Sequence, residues 1–274
     1  MSVRPVHLHL VSDATGETIN RVAGACVAQF EGVEAIEHVW SLVRTRGHVE
    51  KVLAGIKAHP GIVLFTFADV ALRQILEDGC RRLSVPFISV LDPVIEALTG
   101  YLGLQAHGEP GRQHAMDDAY FGRIAAMDYT LVHDDGQSVG DLDKADIVIV
   151  GVSRSSKTPT SLYLANRGYR VANIPFVPNV PLPDELFQAT QPLIVGLTKD
   201  PERLVQIRRN RMLMLKEEGT TDYTDIEAVR SELQAARRVF GEHDWPVIDV
   251  TRRSIEETAA AILQHFNRRR GLDV

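Results

Sequence analysis

The sequence predicts an α/β protein with parallel sheets, arranged as two domains. Three observations carry this. Short apolar runs alternate with helical patterns along nearly the whole chain, which argues for βαβ units. One run, GIVLFTF at 61–67, is apolar at almost every position, as a strand buried on both faces must be. The alternation breaks once, in the Gly/Pro-rich stretch 100–113, and resumes with a new strand after Lys144.

In chain order, VHLHLVS (6–12) alternates like a strand. Residues 16–30 then place Ile19, Val22, Ala23, Cys26, Val27 and Phe30 at helical spacing. EHVWSLV (37–43) reads as a second strand, and 48–60 as a helix stopped by Pro60. After the strand 61–67 come a helix over 69–83 and a strand, VPFISVLD, over 85–92. Residues 117–136 read as a helix, a short strand and a polar turn. Beyond a boundary near residue 140, ADIVIV (145–150) is a buried strand, followed by a Ser-rich loop and a helix over 160–169 that ends at Gly168. RVANIPFVP and PLIVGLT (192–198) are the next strands. A helix over 200–215 opens on Asp200-Pro201, an N-cap and first-turn pair. A further helix covers 225–240, WPVIDVT (245–251) is a strand, and a helix from Ser254 starts with a Ser-x-x-Glu capping box. The expected domains are therefore 1–140 and 141–274.

Composition narrows the function. The 274 residues are 45% hydrophobic and 24% charged, which excludes a disordered, collagenous or coiled-coil chain. The net charge is −6, so broad nucleic-acid or anionic-membrane binding is not expected. Residues 1–140 hold 11 basic and 17 acidic groups and residues 141–274 hold 19 of each, so an anion site is expected in the second half. Two cysteines, Cys26 and Cys80, fit free thiols in a reducing compartment, and their apolar helical settings read as buried. With no apolar leader segment and no run near the ~18 residues of a membrane span, a cytoplasmic protein is expected.

The most specific local signal is Gly151-Val152-Ser153-Arg154-Ser155-Ser156-Lys157-Thr158, lying between a strand and a helix. It approximates G-x-x-x-x-G-K-[ST], a phosphate-binding loop whose backbone N–H groups and helix N-terminus converge on phosphate oxygens. Lys157 would place a point charge on the β-phosphate, Thr158 a hydroxyl on Mg²⁺, and Ser153 and Arg154 further donors. The second Gly is replaced by Ser156, and an ordinary Ser/Thr-rich strand–loop–helix turn fits the same spacing.

The turn Ser12–Thr18 stands at the end of the first strand, where open α/β sheets bind ligands, but it also reads as a well-capped helix start. Asp134 and Asp135, in His133-Asp-Asp-Gly136, are candidates for a general base or a Mg²⁺ ligand, or simply a polar turn. Arg203, Arg208, Arg209 and Arg211 form a basic helical stripe suited to phosphate or partner contacts, or to solvent. His107 and His114 flank the Gly/Pro-rich loop, where a histidine can meet substrate or be incidental. No G-x-G-x-x-G fingerprint supports a dinucleotide enzyme, and no local signature assembles a Ser-His-Asp set.

Together, VSDATGET (11–18), HDDG (133–136), KADIVIVGVSRSSKTPTSLYLANRGYRVAN (144–173), GLTKDPERLVQIRRNR (196–211) and WPVIDVTRRSIEETAAAIL (245–263) resemble the bacterial and plant regulatory proteins of pyruvate, phosphate dikinase and phosphoenolpyruvate synthase. The resemblance implies an N-terminal α/β domain, a C-terminal P-loop-like α/β nucleotide-binding domain and a homodimer. It implies a bifunctional enzyme. As a kinase it moves phosphate from ADP to a Thr beside the dikinase's catalytic, already phosphorylated His, which inactivates the dikinase. As a phosphorylase it removes that phosphate with inorganic phosphate and releases pyrophosphate. The start and end segments look more like the branch acting on pyruvate, phosphate dikinase; phosphoenolpyruvate synthase is the alternative target. On this reading Lys157 and loop 151–158 hold the phosphate, with Mg²⁺. Asp134 or Asp135 accepts the Thr proton, and Asp13 is the second choice. A non-catalytic nucleotide-sensing module and an ATP-dependent small-molecule kinase are the other classes considered.

Overall fold

The computed structural model describes residues 4–111, 118–215 and 222–272. The chain divides into two compact units, Met1–Ala115 and Met116–Val274. The first contains β1 (Arg4–Ser12), α1 (Glu17–Val27), β2 (Val33–Trp40), α2 (Arg46–Ala58), β3 (Ile62–Thr66), α3 (Val70–Leu83), β4 (Phe87–Ser89) and α4 (Asp92–Leu102). Its sheet has the order β2-β1-β3-β4, all parallel. The second contains α5 (Asp118–Val132), β5 (Ile147–Gly151), α6 (Lys157–Ala165), β6 (Val171–Pro175), α7 (Asp184–Gln188), β7 (Leu193–Thr198), α8 (Pro201–Leu215), α9 (Ile226–Glu242), β8 (Val247–Asp249) and α10 (Ile255–Arg269). Its sheet, β6-β5-β7-β8, is again all parallel and repeats the same strand order. In both sheets the first strand is central, so the chain leaves it once to each side. That creates a switch point at its carboxyl end, where parallel sheets bind ligands.

The two-residue period of a strand explains the continuous apolar runs. Along β5, Ile147 and Ile149 join one core with Val195, Leu197 and Ile262, while Val148 and Val150 join the opposite core with Leu204, Leu233 and Phe240. In the first unit Val63 and Phe65 of β3 face one core, and Leu64 faces the other with Leu8 and Leu10 of β1. Both predicted capping arrangements form. Asp200 Oδ1 accepts from the Arg203 N–H at 2.9 Å, and Ser254 and Glu257 make a reciprocal capping box.

Several expectations are corrected. The break expected at residue 140 falls inside the second unit, because α5 belongs there: Thr130 Oγ1 accepts from the Val171 N–H at 3.0 Å, and the His133 carbonyl from the Asn173 N–H at 3.0 Å. The segment read as helix, short strand and turn is one helix to Val132 and a 3₁₀ turn over Asp134–Gly136, so HDDG follows a helix. β2 lies earlier than 37–43 because it pairs with β1 from Arg4↔Val33 to Val11↔Trp40. The strand expected over 85–92 pairs only at Phe87–Ser89, and α4, running through Gly100 to Leu102, takes up part of the expected loop. Cys80 is buried, but Cys26 is exposed, since Ile19 and Ala23 carry the buried face of α1. Among the described residues, no helix is long and apolar enough to cross a membrane.

Candidate functional site

The loop between β5 and α6 is held by its carbonyls. Lys157 Nζ donates to the Val152 carbonyl at 3.2 Å, Arg208 Nη2 to that of Ser153 at 3.1 Å, and Lys199 Nζ to that of Arg154 at 3.4 Å. Three cationic side chains from separate parts of the second unit therefore engage three successive C=O groups of the loop. Among the described residues, no acceptor meets the N–H groups of Ser153, Arg154, Ser156, Lys157 or Thr158. The start of α6 has no side-chain cap, which leaves its first N–H donors without an intrahelical partner. Arg154 and Ser156 both have φ 68°, the left-handed conformation that turns with convergent N–H groups use. Ser156 thus adopts the left-handed conformation that glycine would supply. Gly151 has a different reason to be glycine: a Cβ there would lie 2.8 Å from Ser155 Oγ and 3.1 Å from the Leu197 carbonyl.

Asp134 and Thr158 come together. The Thr158 hydroxyl donates to Asp134 Oδ1 at 3.0 Å, and Asn173 Nδ2 donates to the same carboxylate and, at 3.1 Å, to Thr158 Oγ1. Among the described residues, no hydrogen-bond partner meets the buried Asn173 Oδ1. Asp135, held at φ 55°, is exposed and makes no hydrogen bond or ion pair among the described residues. Burial pushes the Lys157 ammonium below its ordinary 10.5, opposed first by Asp135 and then by Asp134. Burial likewise lowers Lys199, with Arg203 adding to the shift and Asp249 opposing it.

Arg208 differs from the stripe to which sequence assigned it. Arg203, Arg209 and Arg211 are exposed, whereas Arg208 is buried. Its guanidinium binds Glu232 at 2.7 and 3.0 Å, the Tyr223 carbonyl at 3.2 Å and the Ser153 carbonyl, and it lies 4.5 Å from the centre of the Tyr223 ring. It braces the loop through the Ser153 carbonyl. Ser153 Oγ and the Tyr223 hydroxyl, 3.1 Å apart, tie the same loop to the same residue.

Asp13 belongs to the first unit. Its carboxylate accepts from the Ala68 N–H at 2.6 Å and so fixes the turn before α3; burial raises its pKa, and these N–H bonds oppose the shift. With Thr15, Gly16 and Arg73 it lines a cavity of about 920 Å³ at the carboxyl ends of β1 and β3, which His107 also reaches. His114 lies outside the described residues.

Sequence reasoning missed Asn173, Lys199, Tyr223 and Glu232. Asn173 is hidden inside an apolar strand. Lys199 follows directly on β7, and a charged residue at the carboxyl end of a central parallel strand is the signal that could have found it.

The family model described as kinase/pyrophosphorylase matches residues 8–263. The chain belongs to the kinase/pyrophosphorylase family. The match takes in the 12–18 turn, the HDDG turn and loop 151–158 together. Relatives within the kinase/pyrophosphorylase family include one from Paramagnetospirillum magneticum, 57% identical over 97% of this chain and 86% of that relative. Another, from Rhizorhabdus wittichii, is 56% identical over 96% of both chains. A third, from Maricaulis maris, is 50% identical over 98% of this chain and 96% of its own. All three are named pyruvate, phosphate dikinase regulatory proteins.

Proposed function

We propose that this protein is an ADP-dependent Ser/Thr kinase and a phosphate-dependent, pyrophosphate-forming phosphorylase. Its target is pyruvate, phosphate dikinase, the enzyme in its relatives' names, and it works in the cytoplasm as a homodimer with a P-loop-like second unit. The observation that carries the reading is the loop 151–158, with its carbonyls engaged by Lys157, Arg208 and Lys199 and its N–H groups open. Such a cradle suits phosphoryl transfer, where catalysis is mainly alignment and charge neutralisation.

In the kinase direction the target Thr oxygen bonds to the β-phosphorus of ADP. The bond from that phosphorus to the bridging oxygen breaks, AMP leaves, and the Thr proton passes to a carboxylate. Asp135 suits that role because its oxygens are free, whereas Asp134 is engaged by Thr158 and Asn173. In the phosphorylase direction inorganic phosphate occupies the cradle and attacks the phosphothreonine phosphorus. Pyrophosphate forms, and the Thr oxygen recovers its proton from the same carboxylate.

The residues present also fit Mg²⁺. Asp134, the Thr158 hydroxyl and the unpartnered Asn173 Oδ1 are hard oxygen donors, and Mg²⁺ usually takes only one or two protein carboxylates beside substrate phosphates. It would supply charge neutralisation on the phosphate oxygens.

The test is to incubate the protein with β-labelled ADP and His-phosphorylated pyruvate, phosphate dikinase, with phosphoenolpyruvate synthase in a parallel tube. Label on a Thr of the dikinase supports the reading. Label only on the synthase moves the target to that enzyme. ADP bound with no label in either tube replaces the kinase by a nucleotide-sensing module.

A further inference from the structure

Lys157 and Lys199 are buried, 6% and 5% exposed, beside the carboxyl ends of the two central strands β5 and β7. Among the described residues, neither has a carboxylate within 4.0 Å. Each ammonium instead touches one carbonyl of the same loop, Val152 for Lys157 and Arg154 for Lys199. Asp249, the acidic group that opposes the shift of Lys199, already accepts from the Thr251 N–H at 2.8 Å. A buried ammonium without counter-charge is strongly disfavoured. Both ammoniums stand on carbonyls of one loop, two residues apart, beside an open row of N–H donors; Asp135, Asp134 and Glu232 offset the charge of Lys157, whereas Asp249 alone offsets that of Lys199.

We propose that Lys199 completes a two-lysine clamp with Lys157, each ammonium neutralising one phosphoryl group, so that the site selects a nucleoside diphosphate over a monophosphate. This rests on the reading of loop 151–158 as the phosphate site. Lys157 rises from the first turn of α6 and Lys199 from the turn after β7, so the two charges approach the loop from different elements. A monophosphate uses one of them; a diphosphate uses both. Lys199 is thereby a specificity-determining residue outside the loop motif.

Titration calorimetry with ADP and with AMP on the full chain, its K199M and K199R variants and K157M tests this. Loss of one charged hydrogen bond predicts a fall in ADP affinity of about tenfold to hundredfold in K199M. AMP affinity should stay within about threefold of the wild type, and K199R should recover most of the ADP affinity. Wild-type ADP binding by K199M beside weakened binding by K157M would overturn the clamp and leave the phosphate site standing. Wild-type binding by K157M as well would overturn the phosphate site itself. Equal losses for ADP and AMP in both K199M and K199R, with a lowered melting temperature, would make Lys199 structural and overturn the proposal.

Discussion

Removing Glu232 while leaving Arg208 strands a guanidinium in the core of the second unit. The pair is bidentate, at 2.7 and 3.0 Å, with side chains only 2% and 10% exposed. Breaking a buried ion pair from one side costs about 3–5 kcal/mol, because the remaining charge is uncompensated. In a unit of this size each kcal/mol shifts melting by about 2–4 °C, so Glu232→Ala should lower the transition by roughly 6–20 °C. Replacing both partners, as Arg208→Met with Glu232→Leu, removes the stranded charge and should restore most of the loss. Binding should not follow stability. In the double variant the Ser153 carbonyl loses its donors at 3.1 and 3.4 Å, the loop loses that brace, and ADP affinity should fall by about tenfold. Calorimetric melting and ADP titration on the wild type and the two variants separate the two effects. A melting shift below about 2 °C in Glu232→Ala would refute the buried-charge argument, and wild-type ADP binding by the double variant would refute the bracing role.

Other perturbations test separate parts of the site. Ser156→Gly relieves a left-handed serine at φ 68°, so thermal melting should show a gain of about 1 kcal/mol with ADP binding retained. Asp135→Asn should lower both transfer rates by about 10²–10⁴ while leaving the ADP dissociation constant unchanged, as rate assays and titration together would show. The lowered pKa of Lys157 gives ADP binding an alkaline limb: affinity should fall as pH rises through a value below 10.5, because only the ammonium neutralises phosphate. The same shift stabilises the ligand-free fold as pH climbs from the lowered value toward 10.5, since burial disfavours the charged form that is then lost. Gly196→Ala would set a Cβ 2.3 Å from the Phe240 ring, and melting should report a loss of about 1–3 kcal/mol from overpacking.

Where apolar periodicity was strong, the sequence was sufficient to find the fold. The strands around Leu64, Val148 and Val195 are buried on both faces, and nothing but a parallel sheet covered by helices accommodates such runs. It misled over 117–136, where the β-branched and aromatic run Tyr129–Val132 resembles a strand. Packing of Thr130 and Tyr129 against the second unit keeps it helical, a tertiary override of local propensity. The loop 151–158 was legible because its geometry is local. Asn173, Lys199 and Glu232 were not, because Asn173 and Lys199 reach the loop, and Glu232 reaches Arg208, through long-range contacts that no spacing encodes. Arg208 was legible as a cation but not as a buried one: its neighbours Arg209 and Arg211 share its composition and differ only in which way the helix turns them.

On the proposed function, one cradle serves both directions of transfer. The most direct measurement assays a single Lys157→Ala variant twice: for ADP-dependent labelling of the dikinase Thr, and for phosphate-dependent release of pyrophosphate from the phosphothreonine form. Both rates should collapse together while the protein stays folded. Retention of either activity at the wild-type rate would mean that the two reactions use different sites, and would contradict the single cradle.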